Sequence, residues 1–100
     1  MYNVIERIDG FDWDAGNERK STEKHNVSRA EAEQVFFNEP LLMVEDMHSQ
    51  SEPRFHALGM SDVGRLLHIT FTLRQEGTKI RVISARDMHR RERVRYERET

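Results

Sequence analysis

The chain has 100 residues, of which 36% are hydrophobic and 34% charged, and its formal net charge is −2. This size and composition fit a single domain (residues 1–100) with one hydrophobic core and exclude a disordered chain. The absence of cysteine excludes disulfides and thiolate metal sites. No apolar run is long enough to span a bilayer and no signal-peptide pattern is present, so we expect a cytoplasmic protein.

The first half of the chain predicts two helices. An N-terminal extension over residues 1–10, which is either an edge strand or a loose end, precedes Asp14, a suitable N-cap for a polar helix over residues 15–25. Ser28 then begins a second helix, because Glu31 follows three residues later and completes a capping box. The second helix has apolar residues at helical spacing and ends before the proline at position 40.

The second half predicts four strands and a last helix. The segments "LLMVE", "RFHALGM", "RLLHITFTLR" and "KIRVISA" are apolar or alternate between apolar and polar residues, and turn sequences separate them. Short turns join antiparallel neighbours. A basic helix follows over about residues 87–98, with Asp87 as its N-cap. The sequence therefore predicts an α+β fold, in which the helices lie on one face of an antiparallel sheet.

Positive charge is concentrated at the C-terminal end. Residues 79–100 contain eight basic and four acidic side chains, whereas residues 1–78 contain eight basic and fourteen acidic ones. Arginine binds a phosphate through two N–H groups and stays charged, so this region favours an RNA backbone or an acidic partner surface. The alternative is a solvated helix that its own Arg–Glu pairs stabilise. Composition does not separate these two interpretations.

The chain lacks the metalloprotease, phosphate-loop and nucleophile-elbow motifs, and its five histidines show no metal-ligand spacing. His56 and His68, both on predicted strands, are the two that would transfer protons if they faced a cleft; otherwise they are ordinary surface or hydrogen-bonded histidines. Phe55 packs in the core or stacks on a base. Glu52 and Arg54 share a face of an extended segment and form either a salt bridge or a base with a phosphate clamp.

Several segments of the chain occur in the order found in BrnT-type toxins, the ribonuclease components of bacterial toxin–antitoxin pairs. They are "FDWD", "KHNVS", "AEAEQVF", "EPRFHALG", "LLHITFTLR" and "IRVISARDMHRRERVRYE". The resemblance covers about residues 11–98. It implies a RelE-like fold, with two N-terminal helices packed on a small antiparallel sheet and a basic C-terminal helix. It also implies RNA cleavage by the ribose 2′-OH without a metal or cofactor, and a BrnA-type DNA-binding antitoxin in a 2:2 heterotetramer.

The resemblance also implies functional residues. The predicted catalytic residues are Glu52, Arg54 and Arg86. The predicted RNA-binding residues are Lys24, His25, Phe55, Arg81, Arg90 and Arg91. Arg54 and Arg86 would bind the scissile phosphate, Glu52 would act as a base or orient Arg54, and Phe55 would stack on a base. One departure is Asn17, where the family usually has lysine, and a non-catalytic binding protein of the same fold is therefore the alternative.

Overall fold

The chain folds into a five-stranded sheet with helices on both faces, in a computed structural model that describes residues 7–44 and 53–100. The elements in chain order are β1 (Gly10–Phe11), α1 (Ala15–His25), α2 (Arg29–Phe37), β2 (Leu41–Val44), β3 (Phe55–Met60), β4 (Leu66–Arg74), β5 (Lys79–Asp87) and α3 (Arg90–Glu99). The predicted α+β class is confirmed. In these two ranges no helix has the length and apolar character needed to cross a membrane.

The strand order in the sheet is β1-β5-β4-β3-β2. The strands β2 to β5 form the predicted antiparallel meander. The sheet as a whole is mixed, because β1 runs parallel to β5 and places Gly10 opposite Lys79 and Phe11 opposite Ile80. A parallel pair needs a long crossover connection, and the helices and the other strands provide it.

The two N-terminal helices begin where the sequence predicts. The Asp14 carboxylate accepts hydrogen bonds from two first-turn N–H groups of α1, and the C-cap of α1 is Asn26, with a left-handed φ of 55°. The Ser28 hydroxyl accepts from the backbone N–H of Glu31 at 3.1 Å. Local capping chemistry therefore decides these boundaries.

The main core lies between the sheet and the helices α1 and α2, on what we call the α1/α2 face. Phe71 is fully buried here, with the Phe36 ring edge-on at 5.0 Å and the Phe55 ring stacked at 5.5 Å between centroids. The buried residues of this face are Val27, Ala32, Val35, Phe36, Ala57, Leu67, Ile69, Phe71, Ile80, Val82 and Ala85. The alternation predicted for β4 is confirmed, because its odd-numbered apolar residues supply this core.

The helix α3 packs on the opposite face of the sheet, which we call the α3 face. Leu58 follows Ala57 in β3 and points away from the main core, where it packs with Met88 and Tyr96. The prediction that the helices lie on one face is therefore wrong for α3. Alternation along a strand identifies two faces, but it does not tell which helix covers each one.

The predicted N-cap of the last helix is also wrong. Asp87 is still part of β5, where it lies opposite Leu67, and its carboxylate accepts from Arg65 at 2.8 Å. The N-cap is His89, and the side chain of Glu92 accepts from the His89 backbone N–H at 2.8 Å. Strand pairing and the ion pair therefore outweigh the capping preference of Asp87.

Candidate active site on the α3 face

A register shift between β4 and β5 brings the polar residues of the α3 face together. Phe71 lies opposite Val82, but Thr70 lies opposite Ser84, so β5 has one extra residue at this point. As a result His68 lies opposite Arg86. Without the extra residue the alternation would carry Arg86 to the other face of the sheet.

Two histidines are in direct contact on this face. Nδ1 of His56 lies 2.8 Å from Nε2 of His68, and the hydroxyl of Thr70 lies 3.2 Å from the same Nδ1 atom. His56 and His68 lie diagonally on the neighbouring strands β3 and β4, because His56 is opposite Thr70, two residues along β4 from His68. The sequence identified both residues as candidates for proton transfer, but it gave no sign that they touch.

Glu92 links α3 to the sheet. Its carboxylate accepts two parallel hydrogen bonds from the terminal nitrogens of Arg86, both at 2.9 Å. Its Oε2 atom also lies 3.1 Å from Nδ1 of His68, a buried nitrogen without a well-aligned hydrogen bond to any described residue. Glu92 is not among the residues predicted from the sequence. The signal available was its position three residues after the cap, where an acidic side chain completes a capping box.

Burial and ion pairing set the charges of this cluster. Burial lowers the pKa of His68 to about 4 against the attraction of Glu92, so His68 is neutral at neutral pH. Burial opposes ionisation of Glu92, but the hydrogen bonds from Arg86 and from the His89 N–H outweigh it and lower the pKa of Glu92 to about 2. At neutral pH the cluster therefore contains a bidentate ion pair next to a neutral imidazole.

A groove opens beside the histidine pair, between the sheet and α3. It has a volume of about 370 Å³, and its lining residues are Met43, His56, Leu58, His68, Arg91, Glu92 and Arg95. Arg91 and Arg95 are exposed at its rim, and Arg95 pairs with Glu99 at 2.9 Å. An imidazole pair next to exposed guanidinium groups can transfer a proton at a bound phosphate ester.

Two further predicted arginines, Arg54 and Arg81, lie toward the end of the sheet at which β3 and β5 begin. Arg54 is exposed and directly precedes Phe55, and the hydroxyl of Thr72 donates to the carbonyl of the preceding residue, Pro53, at 3.0 Å. Among the described residues, none forms a hydrogen bond or ion pair with the Arg54 side chain. Arg81 lies opposite Thr72 and donates to Asp12 at 3.1 Å. The register therefore places Arg81 and Arg86 on one face of the sheet, opposite Thr72 and His68.

Other predicted residues lie elsewhere. Lys24 and His25 end α1, and the carbonyl of His25 accepts from Arg65 at 3.0 Å. Arg65 also binds Asp87 and Glu31, so this helix end belongs to a structural ion-pair cluster that the sequence analysis missed. The RNA-binding roles of Lys24 and His25 stay predictions.

Phe55 and Arg90 lie in different surroundings. Phe55 is half-buried and its ring stacks on Phe71 in the main core. Arg90 is exposed at the start of α3. Glu52 lies outside the described residues. In the ranges 7–44 and 53–100 no group of three or more histidine, cysteine or carboxylate side chains is suited to hold a metal ion.

Comparison with protein families gives a match over most of the chain. The family model described as "Ribonuclease toxin, BrnT, of type II toxin-antitoxin system" matches residues 13–92, from Trp13 to Glu92. The chain belongs to the BrnT toxin family. It is therefore a member of the ribonuclease toxins of type II toxin–antitoxin systems, as the resemblance implied.

A solved structure has the same fold. The 1.1 Å crystal structure of the Brucella abortus ribonuclease toxin BrnT superposes with a TM-score of 0.58 at 18% sequence identity, covering 81% of this chain and 97% of that one. At this identity the match establishes the fold alone. The comparison with curated proteins gives no match.

Proposed function

We propose that this BrnT-family toxin is a metal-independent endoribonuclease that cleaves RNA, inhibits translation, and is neutralised by a BrnA-type antitoxin. The observation that supports it best is the grouping of arginine and histidine side chains around one groove on the α3 face. Guanidinium groups stabilise charge on a phosphate, and imidazoles transfer protons. Together they supply what cleavage by the ribose 2′-OH needs.

In this reaction the ribose 2′-oxygen attacks the adjacent phosphorus as it loses its proton to a base. The bond from phosphorus to the 5′-oxygen breaks, and the 5′-oxygen gains a proton. The products are a 2′,3′-cyclic phosphate and a 5′-hydroxyl. Arg54 suits the role of stabilising the scissile phosphate because no described residue engages its side chain. Glu52 is the predicted base or the partner that orients Arg54.

The remaining RNA contacts follow from charge. Arg91 at the groove, Arg90 at the start of α3 and Arg81 on β5 would bind phosphates on either side of the cleavage site. Lys24 and His25 lie where α1 ends, next to the last residue of β5. They would contact RNA only if the RNA passed around that end of β5. The ring of Phe55 would need its exposed edge for a base, since one of its faces covers Phe71.

The test is cleavage of end-labelled RNA by the purified protein with and without EDTA, followed by analysis of the fragment ends. We expect cyclic phosphate ends in both conditions, and a loss of about 100-fold for Arg54→Ala. Arg19→Ala, which removes an exposed arginine of α1, serves as the matched control. Cleavage that EDTA abolishes and Mg²⁺ restores would show that metal independence is wrong.

We also propose that the antitoxin covers the α3 face. The exposed arginines of α3 suit an acidic partner, and a partner seated there would block the groove. The expected complex contains two toxins and two antitoxins, a ratio that light scattering measures. A complex that cleaves RNA as fast as the free toxin would contradict this arrangement.

One observation favours the alternative of a binding protein without activity. Both terminal nitrogens of Arg86 already bind Glu92, so its predicted contact with the scissile phosphate requires Glu92 to share or release it. A protein of this kind would bind RNA with a steep salt dependence and cut nothing. If the wild type is inactive, Asn17→Lys, which restores the usual family residue, is the first variant to assay.

A further inference from the structure

We infer that the carboxylate of Glu92 occupies a phosphate-binding site, and that a phosphodiester group of RNA displaces it to reach Arg86. This inference rests on the proposed ribonuclease function and gives Arg86 a way to take part in it. In the free protein both terminal nitrogens of Arg86 are engaged by Glu92. Glu92 is therefore a competitor of the substrate that the chain carries itself.

Nitrogen donors from the sheet and from α3 surround the Glu92 carboxylate. The two terminal nitrogens of Arg86 on β5 donate to its two oxygens at 2.9 Å, and the His89 backbone N–H at the start of α3 donates at 2.8 Å. A guanidinium fork and a backbone N–H at a helix start are donors that bind phosphate as they bind carboxylate. The donor set therefore suits either anion.

His68 indicates that this site suits a phosphodiester better than a carboxylate. The residue is 9% exposed, and its Nδ1 atom has no well-aligned hydrogen bond to any described residue, although Oε2 of Glu92 lies 3.1 Å away. That oxygen already accepts from Arg86. A carboxylate is planar and has only two oxygens, whereas a tetrahedral phosphodiester also has ester oxygens outside that plane. It can keep both Arg86 bonds and present a further oxygen to His68.

The charge of the site favours the same exchange. Burial raises the pKa of Glu92, but the hydrogen bonds from Arg86 and from the His89 N–H outweigh it and lower this pKa to about 2. The surrounding groups therefore stabilise a negative charge. A phosphodiester carries a single negative charge, as a carboxylate does, so the exchange leaves Arg86 with a partner of the same charge.

Glu92 can leave the site through the groove. It lines the groove, and the side chains of Arg86 and Glu92 are 23% and 22% exposed, so solvent reaches the pair. Arg95 is the neighbour of Glu92 at helical spacing and lines the same groove, where it can receive the displaced carboxylate. Phosphates bound by Arg90 and Arg91 hold the rest of the RNA beside the site. This tethering favours RNA over free phosphate.

The first test measures binding of a 2′-O-methylated single-stranded RNA, which keeps its phosphates but cannot be cleaved by 2′-OH attack. Glu92→Gln removes the charge and keeps the side-chain shape, and glutamine also completes a capping box. We expect this variant to bind about 10-fold more tightly than the wild type, because a neutral group no longer competes for Arg86. The gain should disappear when Arg86→Gln is added.

The matched control is Glu97→Gln, which removes the same charge from an exposed position of α3. It should change the affinity by less than about 2-fold, since salt screens an exposed charge. Melting temperatures show whether each variant is folded. A folded Glu92→Gln that binds no more tightly than the wild type overturns the inference, and so does a gain that Glu97→Gln reproduces.

A second readout follows Glu92 in the wild type and needs no variant. The NMR signal of its carboxyl carbon should move to the position of an exposed glutamate when the oligonucleotide saturates the protein, while the Glu97 signal stays in place. Inorganic phosphate at the same phosphate concentration should move neither signal. If Glu92→Gln does not fold, this titration decides, because a Glu92 signal that stays in place at saturation overturns the inference.

The outcomes separate this inference from the proposed function. A wild type that cleaves unmodified RNA while its Glu92 signal stays in place overturns the phosphate site and leaves the ribonuclease function intact. Tighter, Arg86-dependent binding by Glu92→Gln together with an inactive wild type supports the phosphate site and overturns the ribonuclease function. Absence of binding by both the wild type and Glu92→Gln overturns the inference.

Discussion

The two faces of the sheet differ in what fills them. The α1/α2 face is closed by aliphatic side chains and by aromatic rings around Phe71. The α3 face has a small apolar cluster at Leu58, Met88 and Tyr96, and beside it the ion pair of Arg86 and Glu92, two histidines and an open groove. The two faces of this small domain therefore have different roles. One face buries enough apolar surface to hold the fold, and the other is left to hold polar groups in a fixed geometry.

The largest expected effect on stability comes from the α1/α2 face. Phe71→Ala removes a fully buried ring that contacts Phe36 and Phe55, and we expect it to lower the free energy of unfolding by about 4 kcal/mol. Urea unfolding followed by circular dichroism measures this. Val63→Ala, at a residue that is 86% exposed, should change stability little. A loss below 1 kcal/mol for Phe71→Ala would break the distinction between the faces.

Acid should lower the free energy of unfolding through His68, which lies on the α3 face. Its pKa is about 4 in the folded protein and 6.5 in the unfolded chain, so between these values the unfolded chain binds a proton that the folded one does not. Stability therefore falls as the pH drops from 6.5 to 4, by about 3 kcal/mol. Urea unfolding at several pH values measures the slope, and His68→Gln should flatten it.

The contribution of Glu92 falls in a lower pH range. Its pKa drops from 4.5 to about 2 on folding, so the stability it contributes is present above pH 4.5 and is lost as the pH falls toward 2. His68→Gln should leave that lower loss in place. If His68→Gln abolished the loss of stability over the whole range from pH 6.5 to 2, the two groups would not act separately.

Two arginine variants should differ in their effect on stability, because Arg86 is ion-paired and Arg54 is proposed to act only in RNA cleavage. Arg86→Ala leaves the carboxylate of Glu92 without its partner, and we expect a loss of about 2 kcal/mol of stability. This is less than for a fully buried pair, because the two side chains are 23% and 22% exposed. Arg54→Ala should change stability by less than about 0.5 kcal/mol and act on RNA cleavage alone. Equal melting temperatures for the two variants would show that the ion pair has no structural role.

The smallest effect should come from the rim of the groove. Arg95→Ala breaks an exposed pair with Glu99 at 2.9 Å, which contributes less than about 0.5 kcal/mol. If RNA lies in the groove, this variant should weaken RNA binding and lower the slope of log affinity against log salt by about 1. Binding measured by anisotropy at several salt concentrations checks this. An unchanged slope would place the RNA elsewhere.

The sequence determined the elements and the family of this protein. The caps at Asp14 and Ser28, the alternation along β4 and the turns between the strands are local features, and each depends on residues close together in the chain. The arginines of the last strand and the tail were also visible as a group. Local chemistry decides such features, so they need no knowledge of the tertiary structure.

Only the tertiary structure decided the site. The extra residue in β5 moves Arg86 to the same face as His68, and neither composition nor periodicity indicates such a shift. The packing of α3 on the second face then brings Glu92 to both of them. Contacts between residues far apart in the chain depend on strand register and on which face a helix covers, and both are decided by how the whole chain buries its apolar surface.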